Sequence, residues 1–137
     1  MESYRKLKGR HQKEFNELPL FFAFDDEQYK RGLKKVNATK DTKIVQISGA
    51  CYCKASDVDC VTDLLKRHQR EHLDNMLASR EYVYNMISYE LANKEYQFSR
   101  DLDDVLSDCV PDEAYGIVPN ISDIIKEAVK DYEKNVG

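Results

Sequence analysis

The 137-residue chain has no tryptophan, and no run in it approaches the ~20 consecutive apolar residues that a membrane-spanning helix requires. The reading is accordingly of a protein without membrane contact. Its opening stretch, MESYRKLKGRHQKEF, lacks the apolar core of a signal peptide, which predicts a chain made and kept in a cytoplasm, that of a host cell. It has no Gly-rich phosphate loop and no G-x-S-x-G elbow, so neither phosphate-cradling nor serine-nucleophile chemistry is legible. Internal repeats and low-complexity blocks are absent as well. Cysteine is sparse, at four residues. In a reducing compartment four thiols argue against a disulfide framework and for free thiols or a metal.

What is present fits one core. With 42% hydrophobic residues the chain can bury a single apolar interior and is too short for two comfortable ones, so a single domain over 1–137 is expected. Its formal net charge of −4 is unevenly spread. Residues 1–16 carry five basic side chains against two acidic ones, a net of +3, and residues 99–137 carry ten acidic against four basic, a net of −6. Two surfaces of opposite sign are expected unless one segment lies on the other.

Helical and extended signals alternate. Apolar spacing predicts a helix from Tyr4 to Phe15, ended before Pro19. LPLFFAF reads as a buried strand, and Asp25 or Asp26 can cap a helix reaching Val36. KIVQIS is a β-branched strand, and GACYCK pairs with it or continues it past a bend at Gly49. Ser56 is the expected N-cap of a long helix to Ala78, followed by a helix from Arg80 to Tyr96. A short helix around Asp101–Asp108, a loop CVPDEAYGIVPN and a helix from Ile121 to Glu133 complete the chain. The expected class is α+β, helix-rich, with a small sheet of two or three strands.

The stretch ACYCKASDVDC places three thiols within ten positions. On a strand, Cys51 and Cys53 share a face, and Cys60 falls in the first turn of the helix that follows. A strand, a turn and a helix start supplying thiolates is an arrangement found in structural zinc sites. Cys109 is the favoured fourth ligand and His11 the alternative, whereas His68 and His72 lie ~12 and ~18 Å beyond Cys60 along the helix axis and are poor partners for it. A four-sulfur site would be structural, with no open position for chemistry. The competing readings are inert buried thiols, or a redox or nucleophilic thiol.

Two further patterns compete with ordinary helix faces. HQREH, residues 68–72, matches H-x-x-E-H, in which His68 and His72 would hold zinc and Glu71 would be the base, with Glu90 as the one nameable third ligand. Arg67 and Arg70 beside it oppose a cation, and the reading adopted is a polar helix face and no enzyme. Nine tyrosines are a high load, and Tyr82, Tyr89 and Tyr96 on one helix are candidate partner-binding residues, because Tyr gives large contact area at low entropic cost. With the acidic stretch RDLDDVLSDCVPDE, they point to a binding surface for a basic partner.

The segments LFFAFDDEQYKRGLKKV, KASD, YELANKEY and DLDDVL, across roughly residues 17–108, resemble a group of small, functionally unassigned proteins of bacterial phages and mobile elements. The resemblance carries no site residues and does not demand cysteine at 51 and 53. A small acidic phage protein with a zinc staple is also similar to the anti-CRISPR proteins, inhibitors of the RNA-guided nucleases of type II systems. That likeness implies a non-enzymatic inhibitor whose acidic residues Asp101, Asp103, Asp104, Asp108, Asp112 and Glu113 dock on a basic surface of the nuclease and exclude nucleic acid. The alternative is a nucleic-acid-binding or regulatory protein using the basic N-terminal helix, with Arg5, Lys6, Lys8 and Arg10 on the phosphates.

Overall fold

Short stretches of three to five residues rich in aromatic, β-branched and cysteine side chains become strands, and the amphipathic stretches around them become helices. In the computed structural model, which describes residues 1–136, the order is α1 (Tyr4–Asn16), β1 (Leu20–Phe22), α2 (Asp26–Lys35), β2 (Ile44–Ser48), β3 (Cys51–Lys54), α3 (Val58–Ala78), α4 (Arg80–Asn93), α5 (Tyr96–Ser99), α6 (Leu102–Cys109), α7 (Ala114–Ile117) and α8 (Ile121–Val136). The chain is of the helix-rich α+β class that the sequence predicts. It divides into two compact units, one of Met1–Arg10 with the residues from Gln69 onward, the other of His11–His68, so the division falls within α1 and within α3.

The His11–His68 unit is built on an antiparallel sheet of order β1-β3-β2. β2 and β3 form a hairpin that turns at Gly49 and Ala50, where Gly49 takes φ +47, a left-handed conformation that costs glycine little. A bulge between Gln46 and Ser48 shifts the register of β2 on the way into that turn. Because alternate strand residues face opposite sides, Leu20, Cys51 and Cys53 look one way, onto Leu18 and Val61. Phe21 and Tyr52 look the other way, toward Tyr29 and Leu33 of α2. α2 approaches closely because Gly32 has no side chain: a Cβ there would lie 2.0 Å from Cδ2 of Phe21.

The other unit packs helices around α4. Tyr82, Val83, Met86, Ile87, Glu90 and Leu91 of α4 are all buried, because α6 and α8 cover it from different sides. α8 contributes Ile121, Ile124, Ile125 and Ala128, the i, i+3, i+4, i+7 stripe of an amphipathic helix. Each Ile buried in this way contributes ~1.5–3 kcal/mol relative to exposure.

Side-chain caps set several helix starts. Asp25 accepts from the Gln28 N–H at 2.7 Å, Ser79 from the Tyr82 N–H at 3.0 Å, and Asp101 from the Asp104 N–H at 3.1 Å. Three boundaries differ from expectation. Ser56 lies inside a 3-10 turn, Ala55–Asp57, that leads into α3. The expected Arg80–Tyr96 helix stops at Asn93 because Glu95 is left-handed, at φ 52, and the chain restarts as α5. The expected loop after Cys109 contains α7.

Candidate functional site

The thiols occupy packing positions. Cys51 and Cys53 are buried in the core of the His11–His68 unit, Cys60 is exposed on the first turn of α3, and Cys109 is buried in the core around α4, where its Sγ lies 3.4 Å from the Val105 carbonyl oxygen as donor. Burial raises the thiols of Cys51 and Cys53 above the ordinary range, and burial with Glu90 and Asp108 nearby pushes Cys109 up to about 12. That favours the protonated form over the thiolate that binds metal. Among the described residues no three His, Cys, Asp or Glu side chains are grouped to hold an ion. Adjacent inward positions on a strand give the same C-x-C spacing as a ligand pair, and here they serve as small hydrophobes.

The histidines of the H-x-x-E-H pattern have separate roles. The His68 ring stacks on that of His11, the alternative fourth ligand, with centroids 3.7 Å apart and planes 8° from parallel, and its Nε2 lies 3.4 Å from Oε1 of Glu14. Both nitrogens of His72 are engaged. Nε2 is 2.7 Å from the Cys109 carbonyl oxygen, which can only accept, so Nε2 carries the proton and Nδ1 accepts from the Tyr82 hydroxyl at 2.7 Å. Glu71 pairs with Arg10.

Glu90, named above as a third ligand, is instead the centre of a buried polar network. It accepts from the Tyr4 hydroxyl at 2.6 Å, from Lys8 Nζ at 3.0 Å and from Asn93 Nδ2 at 3.0 Å. Burial acts to raise its pKa, and the donors from Tyr4, Lys8 and Asn93 overcome that, leaving the carboxyl below its ordinary value.

The tyrosines chosen from sequence are largely spent inside. Tyr82 and Tyr96 are buried, at 4% and 8% exposure. Tyr89 is half-buried against Tyr4, with Lys8 and Arg5 over its ring. α4 is covered on more than one side, so rings that a one-sided helix would leave in water become core. The exposed aromatics are others: Phe22, Phe24, Phe98 and Tyr115. Tyr115 stands between Pro111 and Pro119, in punctuated sequence where an aromatic has less chance of burial, and that signal marks it.

Charge is distributed differently at the two ends. Asp101, Asp103, Asp104, Asp108, Asp112 and Glu113 are all exposed on or beside α6 and α7. Lys94 pairs with Asp108 and lies 3.7 Å from Asp104, and Gln69 donates to Glu113 at 2.9 Å. Tyr115 and Ile117, each about half exposed, sit in the same segment. The Tyr115 hydroxyl is raised by burial, then by Cys109, and then by the carboxylates of Asp112 and Asp103. On α1, by contrast, Lys8 is committed to Glu90, Arg10 to Glu2 and Glu71, and Arg5 lies 5.4 Å from the Tyr89 ring centre.

The class defined by these features is a helix-rich α+β protein with charge and aromatic rings on its surface. No helix among the described residues is long and apolar enough to cross a membrane. Residues 3–133 match a family of unknown function, DUF7659, and the chain belongs to that family. No curated protein and no solved structure matches.

Proposed function

We propose that the protein is a non-enzymatic binding protein that docks the acidic face of α6 and α7 on a basic surface of a protein partner. The observation that carries the reading is the combination at that face: exposed carboxylates, two of them beside Lys94, next to the half-exposed apolar side chains of Tyr115 and Ile117. Carboxylates speed and orient encounter with a basic surface, and a ring and an aliphatic chain supply the desolvated contact that carbon-poor charge alone lacks. The resemblance to phage-encoded inhibitors names the partner: an RNA-guided nuclease, whose nucleic-acid channel is positively charged and would be blocked by an acidic occupant.

The test is binding to a purified type II nuclease, with and without its guide RNA, at several salt concentrations, alongside DNA cleavage. Asp103→Asn, Asp108→Asn and Asp112→Asn together are expected to weaken binding at least tenfold and to flatten its salt dependence. Binding unchanged in both respects removes this face as the interface, and no binding or inhibition by the unaltered protein removes the nuclease as the target. The nucleic-acid alternative has less to draw on, because α1 directs Lys8 and Arg10 at carboxylates of its own chain.

A further inference from the structure

We infer that the free edge of β1, with the adjoining helix α2, is a docking groove for an extended acidic segment of a partner protein, added as a fourth strand. β1 is at the edge of the sheet, and its one paired neighbour is β3. The Ala23 N–H donates to the Ala50 carbonyl at 2.9 Å, toward the β3 side. Backbone groups of neighbouring strand residues point to opposite edges, so the N–H and C=O of Phe22 are directed at the open edge. The outward N–H groups of Leu20 and Phe24 are taken within the chain, by the Leu18 carbonyl at 2.9 Å and by Gln28 Oε1 at 2.7 Å, so the Phe22 pair is the point at which another strand can add.

The side chains around that edge select what comes. A groove of about 440 Å³ between β1 and α2 is lined by Phe21, Phe22, Phe24, Arg31, Gly32 and Lys35 among others. Phe22 is 50% and Phe24 82% exposed, a large apolar area to leave in water beside an open strand edge. Along α2, Lys30, Arg31, Lys34 and Lys35 are exposed, and none has an ion-pair partner among the described residues. An added strand presents alternate side chains to alternate faces. One set then faces the cations of α2 and is acidic; the other faces the side of Phe22 and is apolar.

A nucleic acid would satisfy the cations and stack on the phenylalanines but does not present the regularly spaced amide N–H and C=O groups that continue a strand ladder. The strand edge therefore favours a peptide. This surface is distinct from the acidic face of α6 and α7, and the two readings stand or fall separately.

The probe is a capped nonapeptide of alternating Glu and Val, with the Lys/Val counterpart as control, titrated into the full-length ¹⁵N-labelled protein. The Glu peptide is expected to shift the Phe22, Ala23 and Phe24 amides saturably and to slow hydrogen exchange at Phe22. Arg31→Glu with Lys35→Glu is expected to weaken it at least tenfold. Phe22→Pro, tolerated at an edge position whose N–H is outside the ladder, is expected to lose binding beyond the loss seen in Phe22→Ala. No saturable shift at these amides overturns the proposal, as does equal binding of the Lys peptide. Stronger binding of oligo-dT at the same amides overturns it in favour of nucleic acid. The same shifts arising on concentration alone, with a doubled mass, overturn it in favour of a second copy of the chain.

Discussion

The Tyr4 hydroxyl donates a 2.6 Å hydrogen bond to Oε2 of Glu90, 86 positions away in sequence. That bond fastens the first turn of α1 to the last turn of α4. It also explains how a carboxylate with 1% exposure sits in an otherwise apolar core: Lys8 supplies the opposite charge, and Tyr4 and Asn93 supply further donors.

Tyr4→Phe is accordingly expected to destabilise the protein by ~1.5–3 kcal/mol, the range for a hydrogen bond to a charged group whose loss leaves a buried acceptor short of a partner. Urea denaturation checks it, with an unchanged m-value and a lower midpoint as the expected result. A loss below about 0.5 kcal/mol would mean that water replaces the hydroxyl and that the site is open to solvent.

Acid should weaken the fold in two stages. Burial holds His72 below its ordinary value of 6.5, so the unfolded chain takes up a proton at this residue before the folded one does. Stability is then fully present above pH ~6.5 and declines as pH falls toward the folded value. Glu90 has the same sign: its folded pKa is depressed below 4.5, and its contribution is lost as pH drops through that lower value. Thermal melts from pH 7.5 down to about 2.5 should show Tm falling below pH 6.5, with His72→Gln flattening the first stage and Glu90→Gln the second. A Tm that rises between pH 7.5 and 5.5 would reverse the assignment of a neutral, buried His72.

Local signals in the sequence carry much of this fold. The caps Asp25, Ser79 and Asp101 follow from residue type, and the Ile121, Ile124, Ile125, Ala128 stripe follows from spacing. The fate of the rings does not. Whether Tyr82 packs on His72 or meets water depends on which helices cover α4, a nonlocal fact with no trace in α4 itself. Cys51 and Cys53 pose the same difficulty, since strand alternation places two side chains on one face without saying whether that face is a core or a metal cage. Glu90 was nameable as a candidate because a carboxylate on an apolar helix face is conspicuous, but its partners Tyr4 and Lys8 come from the far end of the chain.

Close approach of α2 to β1 makes a prediction about glycine. Gly32→Ala places a methyl group 2.0 Å from Cδ2 of Phe21, so despite a gain of up to ~1 kcal/mol in helix propensity the variant should lose ~1–3 kcal/mol net through overpacking. Gly9→Ala is the internal control: it is exposed on α1 with no atom within 4 Å of the new Cβ, and should gain up to ~1 kcal/mol. Chemical denaturation of the two variants should move the midpoint in opposite directions. If both are stabilised, the α2 to β1 spacing is larger than described.

Thiol reactivity separates packed cysteines from metal ligands. Cys60 is the exposed thiol of the four, while Cys51, Cys53 and Cys109 are buried with raised pKa values, and the thiolate is the reacting species. With an aromatic disulfide reagent at pH 8, the native protein should therefore release about one equivalent quickly and the remaining three only on unfolding. Cys60→Ser should abolish the fast phase and leave stability nearly unchanged, whereas Cys53→Ser should cost ~1–3 kcal/mol by putting a hydroxyl into an apolar core. A zinc site would give a different pattern: no fast thiol until a chelator is added, and one zinc per chain by elemental mass spectrometry, lost together in Cys51→Ser, Cys53→Ser and Cys60→Ser. That outcome would require β3 and the start of α3 to rearrange around the ion, since Cys60 points to solvent while Cys51 and Cys53 point into the core.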